Sequence, residues 1–254
     1  MKEFVTSEVK NNIAIITFGT PKSNALPGEL LERLAAVISN EAAKEEVKVL
    51  LIKSAGRKAF CAGASFDELL TLREMDASVK FFSGFSRVLD AMRRCEKIVV
   101  VRVQGKATGG GVGLACGADY CFATAEAELA LTEINIGIGP FVIGPYVERK
   151  IGKSQFLTMA LDAEFRSAVW AKEHNIYQSV SDTIEDMDLL IEKFLQKLST
   201  RSAEVLALLK KIAWEGTEYF DDLLPARSEM SGRLILEESA KANIEKIKQR
   251  LSEK

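Results

Sequence analysis

The sequence is short of residues that many enzymes use for nucleophilic, metal or redox chemistry. Its 254 residues include one histidine, His174, and four cysteines, Cys61, Cys95, Cys116 and Cys121. The cysteines form no C-x-x-C pair, and none has a histidine at a metal-ligand spacing. A serine–histidine hydrolase is disfavoured, because the lone histidine stands in a polar helical stretch typical of a surface. We expect reduced thiols and no metal site.

The charge balance and the apolar segments argue against two further classes of partner. The 34 basic side chains balance 36 acidic ones, so no bulk positive charge would attract nucleic acid or anionic lipid. The longest weakly polar segment, 136–147, contains glycine and proline and is too short to span a bilayer. A strand-like pattern begins near Phe4 without a long apolar stretch. We expect no nucleic-acid or membrane partner, and a cytoplasmic location.

What the sequence does contain is an alternation of strand and helix patterns. Runs rich in β-forming residues predict strands at 12–18, 47–53, 98–103 and 119–123. Between them, one amphipathic helix is predicted to begin at Pro27 and another to cover 79–92. Repeated strand–strand–helix alternation predicts a layered α/β fold for residues 1–183.

After Thr183 the apolar spacing indicates helices alone, at 187–198, 205–212 and 226–252. Residues 184–254 are therefore predicted to form a separate helical region. This region has little apolar content of its own to enclose. We expect it to pack against the body of the protein or against another subunit.

The most informative segment is an apolar strand that leads into three glycines, Gly109, Gly110 and Gly111. Glycines at a helix entrance cost backbone entropy, which indicates a need for bare N–H groups and close approach of a ligand. A second loop of small residues, 54–66, follows the strand at 47–53. Two such loops can direct N–H groups at one point, which is the geometry of an oxyanion hole.

The spacing of nearby residues excludes other glycine-rich sites. A P-loop has its lysine after the glycines, whereas Lys106 precedes them. No G-x-G-x-x-G sequence occurs, and the segment 63–67 ends in aspartate where a nucleophile elbow has glycine. The residues then favour acid–base chemistry by a carboxylate beside a stabilised oxyanion.

Four segments together resemble the crotonase superfamily, the enoyl-CoA hydratases and isomerases. They lie at 23–26, 59–65, 109–111 and 132–140, in the family's order and spacing. The resemblance implies a spiral of strand–strand–helix turns followed by a C-terminal helical trimerisation region, hence a homotrimer or a dimer of trimers. It also implies an acyl-CoA thioester substrate and no separate cofactor, because coenzyme A is part of the substrate.

The resemblance also assigns roles to particular residues. The backbone N–H groups of Ala64 and Gly110 would form the oxyanion hole, and Glu133 would be the acid/base. Binding of the substrate would fall to Ala25, Ala62, Gly63, Ser65, Gly109 and Phe141. A basic residue, Lys22 or Arg57, would meet the phosphates of coenzyme A. The bulky segment 141–143 is predicted either to shape the acyl pocket or to belong to the core.

At one position the sequence departs from the family's hydratases. These commonly carry a second glutamate in the pattern Gly-Gly-Gly-x-Glu, where this chain has Gly113. One carboxylate suffices to move a proton between two carbons, whereas adding water asks for a partner that holds the water. Asp67 or Glu68 could supply that carboxylate, and Gly113→Glu is expected to raise hydration. Double-bond isomerisation and hydration both stay open, with a non-catalytic acyl-CoA-binding or scaffold protein as the alternative.

Overall fold

A six-stranded sheet organises the protein, which we describe from a computed structural model covering residues 2–253. The strands are β1 (Phe4–Lys10), β2 (Ile13–Gly19), β3 (Val49–Ser54), β4 (Ile98–Val103), β5 (Ala107–Thr108), β6 (Tyr120–Thr124), β7 (Leu129–Ala130) and β8 (Ser179–Ser181). The large sheet has the order β1-β2-β3-β4-β6-β8. β1 and β2 are antiparallel, and the other pairs are parallel.

Helices cover the sheet on both faces. They are α1 (Gly28–Ala42), α2 (Phe66–Leu69), α3 (Met75–Arg94), α4 (Gly110–Cys116), α5 (Gly144–Asp162), α6 (Ala168–Glu173), α7 (Ile184–Ser199), α8 (Ala203–Trp214), α9 (Phe220–Ile235) and α10 (Glu238–Ser252). The mixed α/β class is therefore confirmed. The four predicted strands appear as β2, β3, β4 and β6 to within two residues at each end, and α1 begins directly after Pro27.

The central strands β3 and β4 are almost entirely buried, because helices lie on both sides of them. The larger core cluster lies between the sheet and α1 and α3. A smaller cluster on the other face includes Leu51, Val100 and Phe122 of the sheet together with Met187 and Ile191 of α7. Apolar runs such as 98–103 are thus explained by burial on two faces.

A second, smaller ladder connects the turns that follow the long strands. β5 pairs with β7, and isolated parallel bridges join Cys61 to Ala107 and Leu26 to Ala64. Each long strand from β2 to β6 is therefore followed by a short strand or bridge and then by helical structure. This arrangement stacks the turns after β2, β3, β4 and β6 side by side, although they are far apart in the sequence.

Within the described residues, only helices follow β8. α9 packs along α3, and α10 contacts α2 and the 3-10 turn Glu133–Ile136. The helical segment therefore lies against the body, as one of the two expected arrangements has it. The division of the chain into two regions at Thr183 stays a prediction.

The predicted apolar stripe on α8 is present but is exposed in the single chain. Val205, Leu208, Leu209 and Ile212 are each more than half exposed. The buried side of α8 instead carries Leu206, Lys210 and Trp214. Lys210 is stabilised there because its ammonium group donates to backbone carbonyls at the end of α3 and just beyond it. The chain alone therefore leaves an apolar surface of α8 uncovered.

Residues 2–253 contain no helix long and apolar enough to cross a membrane. Over the same range, no three metal-ligating side chains cluster. The four cysteines are free thiols.

Candidate active site

A cavity of about 1140 Å³ lies where the stacked turns after the strands meet. All nine residues predicted for catalysis or substrate binding line it: Ala25, Ala62, Gly63, Ala64, Ser65, Gly109, Gly110, Glu133 and Phe141. A second cavity of about 610 Å³, between the sheet and α7, contains none of them. The fold thus brings the predicted residues together, while their individual roles stay predictions.

Two glycine-bearing turns touch at the floor of this cavity. Gly63 and Gly109 both have positive φ angles, +79° and +51°, which favour glycine. A Cβ atom on Gly63 would lie 3.0 Å from the Thr108 carbonyl oxygen and 3.3 Å from the Gly110 nitrogen. A larger residue at 63 would therefore push apart the loops that carry Ala64 and Gly110.

Two backbone N–H groups at this contact have no acceptor. Among the described residues, neither the Ala64 N–H nor the Gly110 N–H donates a hydrogen bond. The adjacent N–H groups of Ser65 and Gly109 are both bonded to backbone carbonyls at 3.1 Å. Gly110 is buried and Ala64 is half-buried. Because backbone donors withdrawn from solvent are nearly always paired, two open ones in one cavity indicate a place for an external acceptor.

Glu133 places its carboxyl group directly against Gly109. It begins the 3-10 turn after β7, and a Cβ on Gly109 would lie 3.0 Å from Glu133 Oε1. Glu133 Oε2 is buried and has no hydrogen-bond partner among the described residues. Burial raises the pKa of Glu133 to about 7, partly offset by a hydrogen bond from its own backbone N–H. The group can therefore both accept and donate a proton near neutral pH.

The position of the absent second glutamate is filled by an aliphatic side chain. Gly113 lies one turn after Gly109 in α4, and its N–H donates to the Gly109 carbonyl at 3.2 Å. A Cβ on Gly113 would lie 2.6 Å from Ile143 Cγ2 and 2.9 Å from Ile143 Cβ. Both contacts involve the stiff branch point of Ile143. Gly113→Glu alone would therefore require Ile143 to move, which the sequence did not indicate.

Neither suggested substitute supplies a second carboxylate beside Glu133. Glu68 Oε2 accepts a hydrogen bond from the Gly28 N–H at 2.7 Å and so caps the start of α1. Asp67 lines the cavity, but it is paired with Lys22 and, at 2.7 Å, with Lys248 of α10. Hydrogen bonds from Lys22 and Lys248 hold the pKa of Asp67 below its usual value.

Two residues singled out in the sequence, Arg57 and His174, lie outside the cavity lining. Lys22 lines the cavity, but Arg57 pairs with Glu185 on the surface at 2.6 Å. The predicted surface residue His174 is half-buried instead. Its ring stacks on Trp170 with centroids 3.9 Å apart, and Nδ1 lies 2.9 Å from the Trp170 carbonyl oxygen.

The segment 136–143 forms an apolar wall of the cavity. Val142 and Ile143 are buried and line it, and Phe141 is half-buried and lines it as well. The segment therefore belongs to the core and also borders the cavity, and its shaping of an acyl pocket stays a prediction.

Some lining residues were missed at the sequence level. Phe82 and Phe85 come from α3, where their spacing indicated only a core face. Asn243, Lys246 and Lys248 come from α10, which closes the charged side of the cavity. Nothing local in the sequence places α10 there, because its position depends on packing against distant elements.

Comparisons with known proteins agree with this geometry. The family profile described as enoyl-CoA hydratase/isomerase matches residues 8–254. The mitochondrial enoyl-CoA hydratase of Pongo abelii is 30% identical over 221 residues, which is 82% of this chain and 72% of that protein. The trans-2-decenoyl-(acyl-carrier-protein) isomerase of Streptococcus mutans is 24% identical over 224 residues, 85% of this chain and 84% of that protein.

A solved structure shows the same fold. The crystal structure of an enoyl-CoA hydratase from Bacillus halodurans matches with a TM-score of 0.88 and 20% identity, covering 95% of this chain and 99% of that chain. Together with the match of the profile over nearly the whole sequence, this shows that the chain belongs to the enoyl-CoA hydratase/isomerase family of the crotonase superfamily.

Proposed function

We propose that this protein is an enzyme that acts on an acyl-CoA thioester through an oxyanion hole and a single glutamate acid/base. One observation carries the proposal. Glu133, with a pKa near 7, lines the same cavity as two backbone N–H groups that lack acceptors among the described residues. A non-catalytic scaffold has no need for this combination.

The N–H groups of Ala64 and Gly110 would receive the thioester oxygen. As negative charge moves onto that oxygen, preformed donors stabilise it without having to reorganise. Each such donor typically contributes about a hundredfold to a thousandfold in rate. The charge makes the α-carbon acidic in an acyl thioester and the β-carbon electrophilic in a 2-enoyl thioester.

Glu133 would then move the proton. With a 3-enoyl thioester, its carboxylate removes a proton from C2, and the electron pair shifts into the enolate. The same carboxyl group returns the proton to C4, so the double bond moves from C3=C4 to C2=C3 and Glu133 is again ionised. Hydration of a 2-enoyl thioester would instead require Glu133 to activate a water that adds to C3, and to deliver a proton to C2.

The experiment follows both reactions with 2-enoyl-CoA and 3-enoyl-CoA, measuring 3-hydroxyacyl-CoA and double-bond position. We expect the wild type to convert at least one thioester and Glu133→Gln to lose about a hundredfold to ten-thousandfold of that rate. Glu68→Gln is the matched control, because this carboxyl caps α1 and lies outside the cavity lining. Tight binding of acyl-CoA without any conversion would favour the scaffold alternative.

The finer details of the assembly and its surroundings are also proposals. The uncovered apolar stripe on α8 supports a homotrimer or a dimer of trimers. Light scattering should then give three or six times the chain mass of 27.9 kDa.

Lys22, at the charged side of the cavity, is proposed to meet a phosphate of coenzyme A. We also propose a cytoplasmic protein that needs no separate cofactor.

A further inference from the structure

Ile143 and Glu133 stand next to each other above α4. Glu133 covers Gly109, and Ile143 covers Gly113 one helical turn later. Both side chains line the cavity, whereas Gly113 is not among the lining residues. Ile143 therefore separates the cavity from Gly113, which lies one helical turn beyond the glycine that Glu133 covers.

On the side that faces Gly113, no polar side chain among the described residues stands beside Glu133 to hold a water molecule. An ordered water in a buried site typically makes two to four hydrogen bonds to polar groups, and it needs polar partners for that. On the side of Gly113 the nearest neighbour is the branched alkyl group of Ile143, which is 4% exposed.

We propose that Ile143, by filling the space above Gly113, keeps a second polar group and a held water away from Glu133 and so determines the reaction. The expected reaction is relocation of a proton along the acyl chain rather than addition of water. This inference rests on the proposed function and adds the residue that selects the outcome. Ile143 contributes no proton and no electron pair, so its role is to determine specificity.

The proposal predicts how the proton behaves. Glu133 removes a proton from C2 of a 3-enoyl thioester, and no nearby water exchanges with the carboxylic acid that results. The same proton is then delivered to C4. During a single turnover in heavy water, most of the substrate's own hydrogen should therefore appear at C4 of the product.

The main experiment compares isomerisation of 3-enoyl-CoA with hydration of 2-enoyl-CoA in the full-length protein. In the wild type, hydration should be at least about a hundredfold slower than isomerisation. The double variant Ile143→Ala/Gly113→Glu makes space and adds a carboxyl group beside Glu133. Its ratio of hydration to isomerisation should rise at least about tenfold.

Two further variants keep the test informative if the double variant does not fold. Ile143→Ala alone admits water, so retention of the substrate's hydrogen at C4 should fall. Val147→Ala removes an alkyl group from the buried side of α5, outside the cavity lining, and it should leave both the product ratio and the retention as in the wild type. Circular dichroism and thermal melting establish which variants are folded.

The outcomes separate the two proposals. Isomerisation accompanied by hydration at a comparable rate in the wild type would overturn the role of Ile143 and leave the proposed function standing. Equal hydrogen retention in wild type and folded Ile143→Ala would do the same. Failure of the wild type to convert either thioester would instead contradict the proposed function itself.

Discussion

Two carboxylates line the same cavity and have opposite properties. Glu133 lies against Gly109 on the apolar side, and its pKa is raised to about 7 by burial. Asp67 lies on the charged side between Lys22 and Lys248, and its pKa is lowered. The pair shows that the surroundings, rather than the side-chain type, decide whether a carboxyl group can exchange a proton near neutral pH.

The difference has a simple origin in the fold. Glu133 sits where the stacked turns and α4 exclude solvent, so its charged form loses hydration while Oε2 gains no hydrogen-bond partner among the described residues. Asp67 lies at the outer end of the cavity, where Lys248 of α10 brings a second ammonium group to it. The first arrangement suits catalysis, and the second holds two segments of the chain together.

The largest effect should come from disturbing the apolar side. A Cβ on Gly110 would lie 2.1 Å from the Phe85 ring, so Gly110→Ala displaces either the ring or the N–H donor. We expect about a hundredfold to thousandfold loss of turnover, with about 1–3 kcal/mol lower stability from overpacking. Asp67→Asn is the control on the charged side and should change saturated turnover only slightly. Enzyme assays with melting curves test this, and near wild-type turnover of Gly110→Ala would count against the oxyanion role.

As pH rises, the free energies of unfolding of Glu133→Gln and Asp67→Asn should depart from that of the wild type in opposite directions. Between its unfolded pKa of 4.5 and its folded pKa of about 7, Glu133 keeps a proton that the unfolded chain releases. Wild-type stability therefore falls as pH rises through this window. Glu133→Gln cannot ionise, so it should exceed the wild type above pH 7 by up to about 3 kcal/mol. The advantage should vanish near pH 4.

The control for stability is Asp67→Asn. Because the pKa of Asp67 is lowered, its ion pairs stabilise the folded state above the unfolded pKa and are lost as pH falls. The group is 43% exposed, so its contribution is worth at most about 1 kcal/mol. Urea titrations at several pH values measure both variants, and a destabilised Glu133→Gln at pH 8 would contradict the burial argument.

The rate should also follow the protonation of Glu133. With the carboxylate as base, kcat/KM for the thioester rises about tenfold per pH unit below 7 and levels off above it. Asp67→Asn should leave the midpoint of this profile in place. A profile flat between pH 5 and 8 would mean that Glu133 does not take the proton in the limiting step.

The smallest effect is expected from a change on the charged side of the cavity. Lys248→Ala removes one partner of Asp67 and a cation from the cavity wall. We expect KM for acyl-CoA to rise about two- to tenfold at low salt, with kcat unchanged, because a phosphate loses an attractive charge. The difference should shrink near 0.5 M salt as screening increases. An unchanged KM at low salt would place the phosphates elsewhere.

Much of the fold and the nine predicted site residues could be placed from sequence. Strands such as β4 have continuous apolar runs, and glycine runs report backbone geometry directly, so local patterns were sufficient for these elements. The nine site residues were instead assigned by the resemblance of four segments to the crotonase superfamily. The contacts between distant segments were not predictable in the same way. The packing of Ile143 on Gly113 and the capping of α1 by Glu68 join residues 30 and 40 positions apart. No local period encodes such pairs.

The apolar stripe on α8 illustrates the same limit. Its spacing correctly predicted a helix, because the period of apolar residues reports the helix itself. Which side is buried within one chain depends on Trp214 and Lys210 meeting distant partners such as Asp119. The sequence therefore located the element but could not assign its inner side.

The ladder formed by β5, β7 and the bridges at Leu26 and Cys61 has a consequence for the kinetics of refolding. Parallel pairing aligns the turns that line the cavity between residues 22 and 143, and α10 closes its charged side. Such non-local pairings close late, because each demands a long loop. We expect a partly folded chain to lack a working site. The return of activity during refolding should therefore report when the last of these pairings has formed.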